Sequence, residues 1–449
     1  MIKVITYGTF DLFHEGHYNL LKRAKDLGDY LIVGVTSENY DKGRGKLNVH
    51  QSLVERIENI KQSGFADEII VEEYMGQKIE DIKKYEADIF AIGSDWLGKF
   101  DYLNEYCEVV YLERTKGVSS TKLRNENRGI LNIGCVGAGR IAKRMIRESK
   151  FVSGVNIDIV YGRNKAKIRK FAEENELEKY TTDFDEFLSK VDAVYIATPH
   201  TTHYDFAKRA LESKKHVLCE KPITLKEDQT RELYEIADKN NVVLYEAIKT
   251  AYAPGFQRLV MITKSGVIGK VIDVDATFTK LENNKNLREY DLTQGGGSIS
   301  ELISYPLLAI FKLLGMDYEK ITFYSRFDGE TGIDLYTKAL IQYEDAIASA
   351  NVGLGVKKEG ELIISGTHGY IYVPAPWWKT EYFEIRFENQ NLNEKYFVKF
   401  DDDGLRYELV DFYHSIAEGA LNISLSAEES AAISKVIEKF FDKADTIEI

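Results

Sequence analysis

Apolar positions follow two rhythms along this chain, and the place where one gives way to the other divides it. A β-branched run at 2–6 ends at Gly8, after which Tyr18, Leu20, Leu21, Ala24 and Leu27 recur at helical spacing, a strand-loop-helix pattern. Strands are expected at Leu31–Val35, Glu68–Glu72, Ile89–Ile92 and Glu108–Leu112, with helices at Leu53–Gln62 and Lys78–Tyr85 between them. Such alternation predicts a parallel sheet with crossover helices. The charged segment Thr121–Arg128, with no apolar residue from Arg124 to Gly129, marks a boundary. A second alternation begins with a strand at Ile130–Cys135 and a helix from Arg140, and continues with strands at Asn156–Tyr161, Ala193–Ala197, His216–Cys219 and Val242–Tyr245. Beyond about residue 252 the rhythm changes. Ile272, Val274, Ala276 and Phe278 alternate with Asp273, Asp275, Thr277 and Thr279, the period of a sheet with one wet face. Similar segments lie at Leu335–Tyr343, Glu361–Val373 and Tyr382–Phe400, and helical patterns at Leu405–Gly419 and Ala427–Asp442 close the chain.

The expected class is therefore α/β: a Rossmann-like domain over 1–128, a doubly wound domain over 129–250, and an α+β domain with a mainly antiparallel open sheet over 251–449. The 449 residues exceed what one hydrophobic core holds. A formal charge of −13 argues against nucleic acid as a general partner, since a polyanion is bound by neutralising its phosphates. Cys107, Cys135 and Cys219 are few and widely spaced, which gives neither a disulfide framework nor a metal-ligand spacing. The chain opens on a strand, without a basic leader, and no run of about 18 apolar residues occurs. A soluble, unprocessed, cytoplasmic protein is expected, with no membrane partner.

Two motifs carry candidate chemistry. His14 and His17, separated by two residues at the start of a helix, would set two imidazoles beside free backbone N–H groups at the positive end of the helix dipole. Phosphate oxygens would be held there, or the pair would be solvated and capping. Gly137, Gly139 and Ala142 follow a strand and open a helix, the context of a dinucleotide fingerprint. Arg163 and Lys165, in place of the acid usual for NAD, suit a 2′-phosphate and favour NADPH over NADH. A basic turn facing solvent is the alternative.

The stretch Tyr7–Asp11, which includes Gly8, Thr9 and Phe10, together with His14–His17, Gly93–Trp96, Gly98–Asp101 and Arg114–Thr121, resembles the glycerol-3-phosphate cytidylyltransferase family through residues 1–124. The resemblance implies that His14 and His17 stabilise the α-phosphate in the transition state, that Lys46 holds phosphate, and that Arg114, Ser119, Ser120 and Thr121 bind the triphosphate. It places Asp11 near metal and acceptor, puts Asp95 and Thr115 in the nucleotide pocket, and implies CTP with Mg²⁺. Glu15 stands where the family commonly has Trp, and reads as a solvent-facing change. At Gly64 an arginine used toward acceptor and triphosphate is lost, with Arg56 earlier on the same helix. The basic, glycine-rich Lys42–Lys46 reads either as a solvated loop or as a wrap for phosphates.

Residues 131–449 resemble the Gfo/Idh/MocA oxidoreductase family through Ala197–His200 with His203, Cys219–Pro222 and Gly295–Gly297. The resemblance implies that Gly137, Gly139, Arg140, Ile141, Thr198, Pro199, His200, His203 and Glu220 contact cofactor, and that Lys221 binds and polarises the substrate oxygen near the nicotinamide. Where many members carry an Asp and then a His one turn later, this chain has Glu301 and Tyr305. Tyr305 is the candidate proton donor, since a nearby lysine favours the phenolate that results; a core tyrosine is the bland alternative. His203 either holds the nicotinamide side or caps Asp205–Leu211, and Lys249 faces the expected cleft without an assigned role. Trp377 and Trp378 read as core or subunit contact.

The joined resemblances imply a bifunctional enzyme of surface-polysaccharide synthesis. NADPH would reduce a carbonyl precursor to a polyol phosphate, and CTP would convert that to a CDP-alditol. The alternatives are a cytidylyltransferase with a non-catalytic NADPH-binding module, or an ATP-using adenylyltransferase. The sheet of the third domain is an expected contact surface of a homo-oligomer, dimer or tetramer.

Overall fold

The computed structural model describes residues 1–43, 46, 49, 51–74, 76–113 and 130–449. Arg114, Thr115, Ser119, Ser120, Thr121 and the expected boundary at Thr121–Arg128 lie outside the described residues. The chain divides into two compact units, Met1–Asn132 with Glu148–Asn156, and Ile133–Arg147 with Ile157–Ile449.

In the first unit, strands β1 (Lys3–Gly8), β2 (Tyr30–Thr36), β3 (Glu68–Glu72), β4 (Ile89–Gly93) and β5 (Glu108–Leu112) form one sheet in the order β3-β2-β1-β4-β5. Its pairings are all parallel. Successive side chains of a strand point to opposite faces, and both faces here are covered. Val4, Leu31, Val33 and Val35 pack with Leu21 and Ile60 of the helices Glu15–Lys25 and Leu53–Ser63. Ile5, Tyr7 and Ile32 pack on the other side with Ile82 of the helix Gln77–Tyr85 and with Leu103. Helix Leu53–Ser63 starts in a capping box formed by Ser52 and Glu55. Gly64 ends it in the left-handed conformation.

The second parallel pattern is also present. Strands β6 (Leu131–Val136), β7 (Val155–Tyr161), β8 (Lys179–Thr181), β9 (Ala193–Ile196), β10 (His216–Glu220) and β11 (Leu244–Ala247) lie in the order β11-β10-β9-β6-β7-β8. Val136, Ile159, Val194, Ile196 and Val217 pack on one face against Ala207 and Leu211 of the helix His203–Glu212.

The remaining strands form a single nine-stranded sheet. They are β12 (Val271–Thr279), β13 (Lys320–Phe327), β14 (Asp334–Gln342), β15 (Ile347–Gly353), β16 (Leu362–Gly366), β17 (Tyr370–Val373), β18 (Tyr382–Arg386), β19 (Glu394–Phe397) and β20 (Thr446–Glu448). Their order is β19-β18-β17-β16-β12-β15-β14-β13-β20. Pairing is antiparallel except for β12 with β15 and β13 with β20. The expected segments Glu361–Val373 and Tyr382–Phe400 each contain two strands and a turn rather than one strand. The alternation expected from Ile272 holds for Val274 and Ala276, which are fully buried, while Ile272 itself is 39% exposed. A register shift between Val271 and Asp273 puts that residue out of phase, as a bulge does. The apolar helix Ser304–Leu314 packs against β12 and β15. Among the described residues no single helix is long and apolar enough to cross a membrane.

Trp377 is a core residue: it is fully buried, and its indole N–H donates to the Thr277 carbonyl at 2.8 Å. Replacing it removes a large buried side chain and that partner together. Trp377→Ala should destabilise this unit by about 3–5 kcal/mol, measured as a lower urea midpoint with an unchanged slope.

Candidate active sites

A doubly wound sheet opens a crevice where its strand order reverses, outside the carboxyl ends of the strands. In the first sheet the reversal lies between β1 and β4, in the second between β6 and β9.

After β1 the chain turns tightly through Gly8–Leu12, with Phe10 and Leu12 both at positive φ (53° and 46°). A side chain in that region is strained unless its surroundings hold it, and here they do. Buried Arg56 donates to the carbonyls of Thr9 (2.8 Å) and Thr36 (2.9 Å), and its guanidinium lies 3.5 Å from buried Asp41. Asp41 accepts in turn from the Thr9 and Thr36 hydroxyls, while Asp11 accepts from the Gln51 amide at 2.8 Å. Neither Asp41 nor this use of Arg56 was legible in the sequence. Arg56 braces the loop from behind.

His14 is the N-cap of the helix Glu15–Lys25. Its Nδ1 accepts from the Gly16 amide at 3.1 Å, so in the neutral ring the proton sits on Nε2. A Cβ at Gly16 would meet the His14 ring at 2.8 Å, which accounts for the glycine between the histidines. The two imidazoles stack with centroids 3.9 Å apart and planes 17° apart, and Phe10 meets His17 edge-on. Among the described residues the buried His17 Nδ1 has no hydrogen-bond partner. Burial above all, then His14 and Lys46, hold the His17 pKa well below the usual histidine value. A stacked imidazole pair at a helix N-terminus can donate N–H groups to phosphate. Lys46 is half-buried, Asp95 is exposed on the turn Ser94–Trp96 after β4, and Glu15 faces solvent as expected. Below the loop, buried Lys78 pairs with Glu72 and lies 4.5 Å over the Tyr7 ring.

At the second crevice Gly137 follows β6 with φ +108°, and a Cβ there would meet the Ala197 carbonyl oxygen at 2.3 Å. No residue but glycine fits. A Cβ at Gly139 would meet no protein atom within 4 Å, so the backbone stays open at the start of the helix Arg140–Ser149. These features fit a dinucleotide pyrophosphate. Arg163 and Lys165 are exposed beyond β7, Ile141 is half-buried, and Arg140 is tied at 2.8 Å to buried Glu289.

Thr198, Pro199 and the turn His200–Thr202 follow β9, and Glu220 ends β10 with Lys221 directly after it. The helix starts at His203 itself, so this residue does not cap Asp205–Leu211. Its Nδ1 lies 2.8 Å from the Pro222 carbonyl oxygen and its Nε2 3.0 Å from that of Thr198. Both oxygens can only accept, so a neutral His203 donates to one of them while packing between the β9 and β10 loops. Burial lowers its pKa to about 4.

Lys221 donates to the main-chain carbonyl of Glu301 at 2.5 Å and sits 5.9 Å from the centre of the Tyr305 ring. Burial lowers the lysine's pKa, against the pull of Glu301 and Glu220. Tyr305 is buried against Phe278, and burial followed by Glu220, Glu408 and Glu301 raises its pKa far above that of a free phenol. The sequence reading looked to the lysine to set the acidity of this phenol, but burial and carboxylates dominate its surroundings. The Glu301 carboxylate is engaged by Arg288, 2.8 Å away. Asp334 caps the short helix Ser298–Leu302 that carries Glu301, accepting from Ser298 Oγ (2.5 Å) and the Ile299 amide (2.9 Å). Glu220 accepts from the Tyr195 hydroxyl at 2.6 Å, and burial raises its pKa. Arg288, Asp334 and Tyr195 were not singled out in the sequence.

The family described as cytidylyltransferase-like matches residues 5–126. The oxidoreductase family with an NAD-binding Rossmann fold matches 131–248, and the GFO/IDH/MocA C-terminal domain matches 256–372. The glycerol-3-phosphate cytidylyltransferase of Bacillus spizizenii is 51% identical over 126 residues, 28% of this chain and 97% of that protein. A trans-1,2-dihydrobenzene-1,2-diol dehydrogenase of Xenopus tropicalis is 24% identical over 327 residues, 69% of this chain and 96% of that protein. Among solved structures, a 3-ketoreductase from Actinomadura kijaniata in complex with NADP and TDP-benzene shares the fold. Its TM-score is 0.65 at 21% identity, covering 71% of this chain and 99% of that one.

His203 supplies a test with a definite sign. Its folded pKa of about 4 lies below the ordinary 6.5, so the unfolded chain binds the extra proton first. The stability it contributes is complete above about pH 6.5 and is lost as pH falls toward 4. His203→Gln should flatten the pH dependence of unfolding free energy in that window by roughly 3 kcal/mol, read from urea denaturation at successive pH values.

Proposed function

Because the chain belongs to the cytidylyltransferase-like family in its first part and to the GFO/IDH/MocA oxidoreductase family in the rest, we propose that it is a bifunctional enzyme making a CDP-activated alditol. In the oxidoreductase part a carbonyl precursor, NADPH and a proton give a polyol phosphate and NADP⁺. In the transferase part the polyol phosphate attacks the α-phosphorus of CTP, giving the CDP-alditol and pyrophosphate. The product is an activated unit for a surface polysaccharide, made in the cytoplasm by a homo-oligomer. The observation that carries this reading is that each parallel sheet has its own candidate chemistry at its strand ends, stacked His14 and His17 after β1 in one, and Gly137 after β6 with Lys221 after β10, beside Tyr305, in the other.

In the transferase site the His14 and His17 N–H groups would follow charge onto the α-phosphate oxygens, and Lys46 would add a cation. Arg114, Thr115, Ser119, Ser120 and Thr121 belong to this reading through the family resemblance. Among the described residues no group of three or more His, Cys, Asp or Glu could hold a metal ion. Mg²⁺ would be carried chiefly by the nucleotide phosphates.

In the reductase site Gly137, Gly139 and the helix N-terminus would receive the pyrophosphate, and Arg163 with Lys165 the 2′-phosphate of NADPH. The bound cofactor supplies a hydride. Lys221 would polarise the substrate carbonyl, and Tyr305, which burial keeps protonated, would give the proton that the reduced oxygen takes. NADP in the structurally similar 3-ketoreductase supports the choice of cofactor. A second reading, a non-catalytic NADPH-binding module, draws on the engagement of the Glu301 carboxylate by Arg288.

The test supplies each of the four nucleoside triphosphates with Mg²⁺, NADPH and a panel of ketose phosphates, and follows products by mass spectrometry. CTP should be the donor that releases pyrophosphate. His14→Ala should lower that release by at least about 100-fold, on the scale of losing a transition-state donor, with NADPH oxidation retained. Lys221→Met and Tyr305→Phe should do the reverse. Failure of every carbonyl to oxidise NADPH would leave the transferase with a binding module.

A further inference from the structure

Arg288 lies on the short turn Arg288–Tyr290, and no motif marks it. Its Nη1 is 2.8 Å from Glu301 Oε1, and its Nη2 donates to Oε2 at 3.2 Å. The Nη2 contact is a hydrogen bond, while the approach of Nη1 to Oε1 is an ion pair without one. Nη1 also lies 3.3 Å from His200 Nε2, while His200 Nδ1 is 3.2 Å from the Gly295 carbonyl oxygen. A carbonyl can only accept, so Nδ1 carries the proton and Nε2 offers its lone pair to Arg288. Burial followed by Arg288 holds the His200 pKa well below the usual value, which agrees with a neutral ring. On its main-chain side Glu301 receives Lys221. One guanidinium thus fixes the side chain of the residue whose carbonyl anchors the lysine, together with the imidazole beside it.

We propose that Arg288 is a positioning residue of the reductase site, clamping Glu301 and His200 so that the Glu301 carbonyl holds the Lys221 ammonium toward the substrate oxygen. This rests on the reading of Lys221 as the group that polarises a carbonyl. Lys221 is faced by Glu220 on β10, Glu301 on its own helix, Lys280 beyond the end of β12, Arg288, His200 and His203; Tyr305 lies beside it and Glu246 is within electrostatic reach. Of these, Glu301 and Glu220 favour its charged form, while burial, Arg288 and Lys280 oppose it. Removing the guanidinium while leaving the Glu301 carboxylate therefore moves the lysine toward stronger basicity.

The test uses the full chain as wild type, Arg288→Met and Arg288→Lys. The titration of Lys221 is followed by NMR of ¹³C-methylated lysines, its signal assigned by disappearance in Lys221→Met. NADPH affinity, read by fluorescence, reports on the intact fold. Arg288→Met should raise the Lys221 midpoint by about one pH unit, the scale of one charge within a few ångströms. Arg288→Lys keeps the charge and should restore that midpoint. It should still lower kcat for carbonyl reduction at least tenfold with little change in KM, because an ammonium does not reach Glu301 and His200 from two fixed nitrogens as the guanidinium does. An unchanged Lys221 midpoint in Arg288→Met, or full kcat in Arg288→Lys, overturns the proposal. If the wild type reduces no carbonyl, the reductase reading fails, and the midpoint shift still decides whether Arg288 governs Lys221.

Discussion

A parallel sheet covered on both faces must reverse its direction of winding once, and the reversal leaves two neighbouring strand ends whose loops depart to opposite sides. The gap between those loops is the one place where backbone N–H groups, a helix N-terminus and side chains from several strands converge without a crossover helix in the way. This chain builds that gap twice. In one, the Gly8–Leu12 turn faces the turn after β4; in the other, Gly137 faces the loop that follows β9. The second is elaborated by the nine-stranded sheet, whose helices bring Glu301 and Tyr305 to Lys221.

Burial sets the charge state at both gaps. His17, His200 and His203 all have depressed pKa values with burial as the first cause, so each works as a neutral donor or acceptor. Two buried cations are paired, Arg56 with Asp41 and Lys78 with Glu72. Removing one member of such a pair strands the other charge, which costs far more than the pair contributes.

Residues whose role is written within a few positions were legible in the sequence. His14 and His17 need only a helix start, Gly137 and Gly139 only a strand before them and a helix after, and the parallel alternation fixed both doubly wound sheets. Arg288, Asp334, Asp41 and Arg56 were not legible, because their partners are 13, 35, 32 and 47 positions away. A lone charged residue in a sequence reads as solvated, since most are. The bulge that displaces Ile272 and the pairing of Thr446–Glu448 with β13 escaped for a related reason: register is a property of two strands, and one strand does not carry it.

Lys221 is anchored by a peptide oxygen rather than by a side chain. Every amino acid offers that oxygen, so substitution at position 301 keeps the acceptor and removes only the carboxylate by which Arg288 holds it in place. The acceptor is thus fixed in kind by the backbone and adjustable in place through the side chain that Arg288 holds.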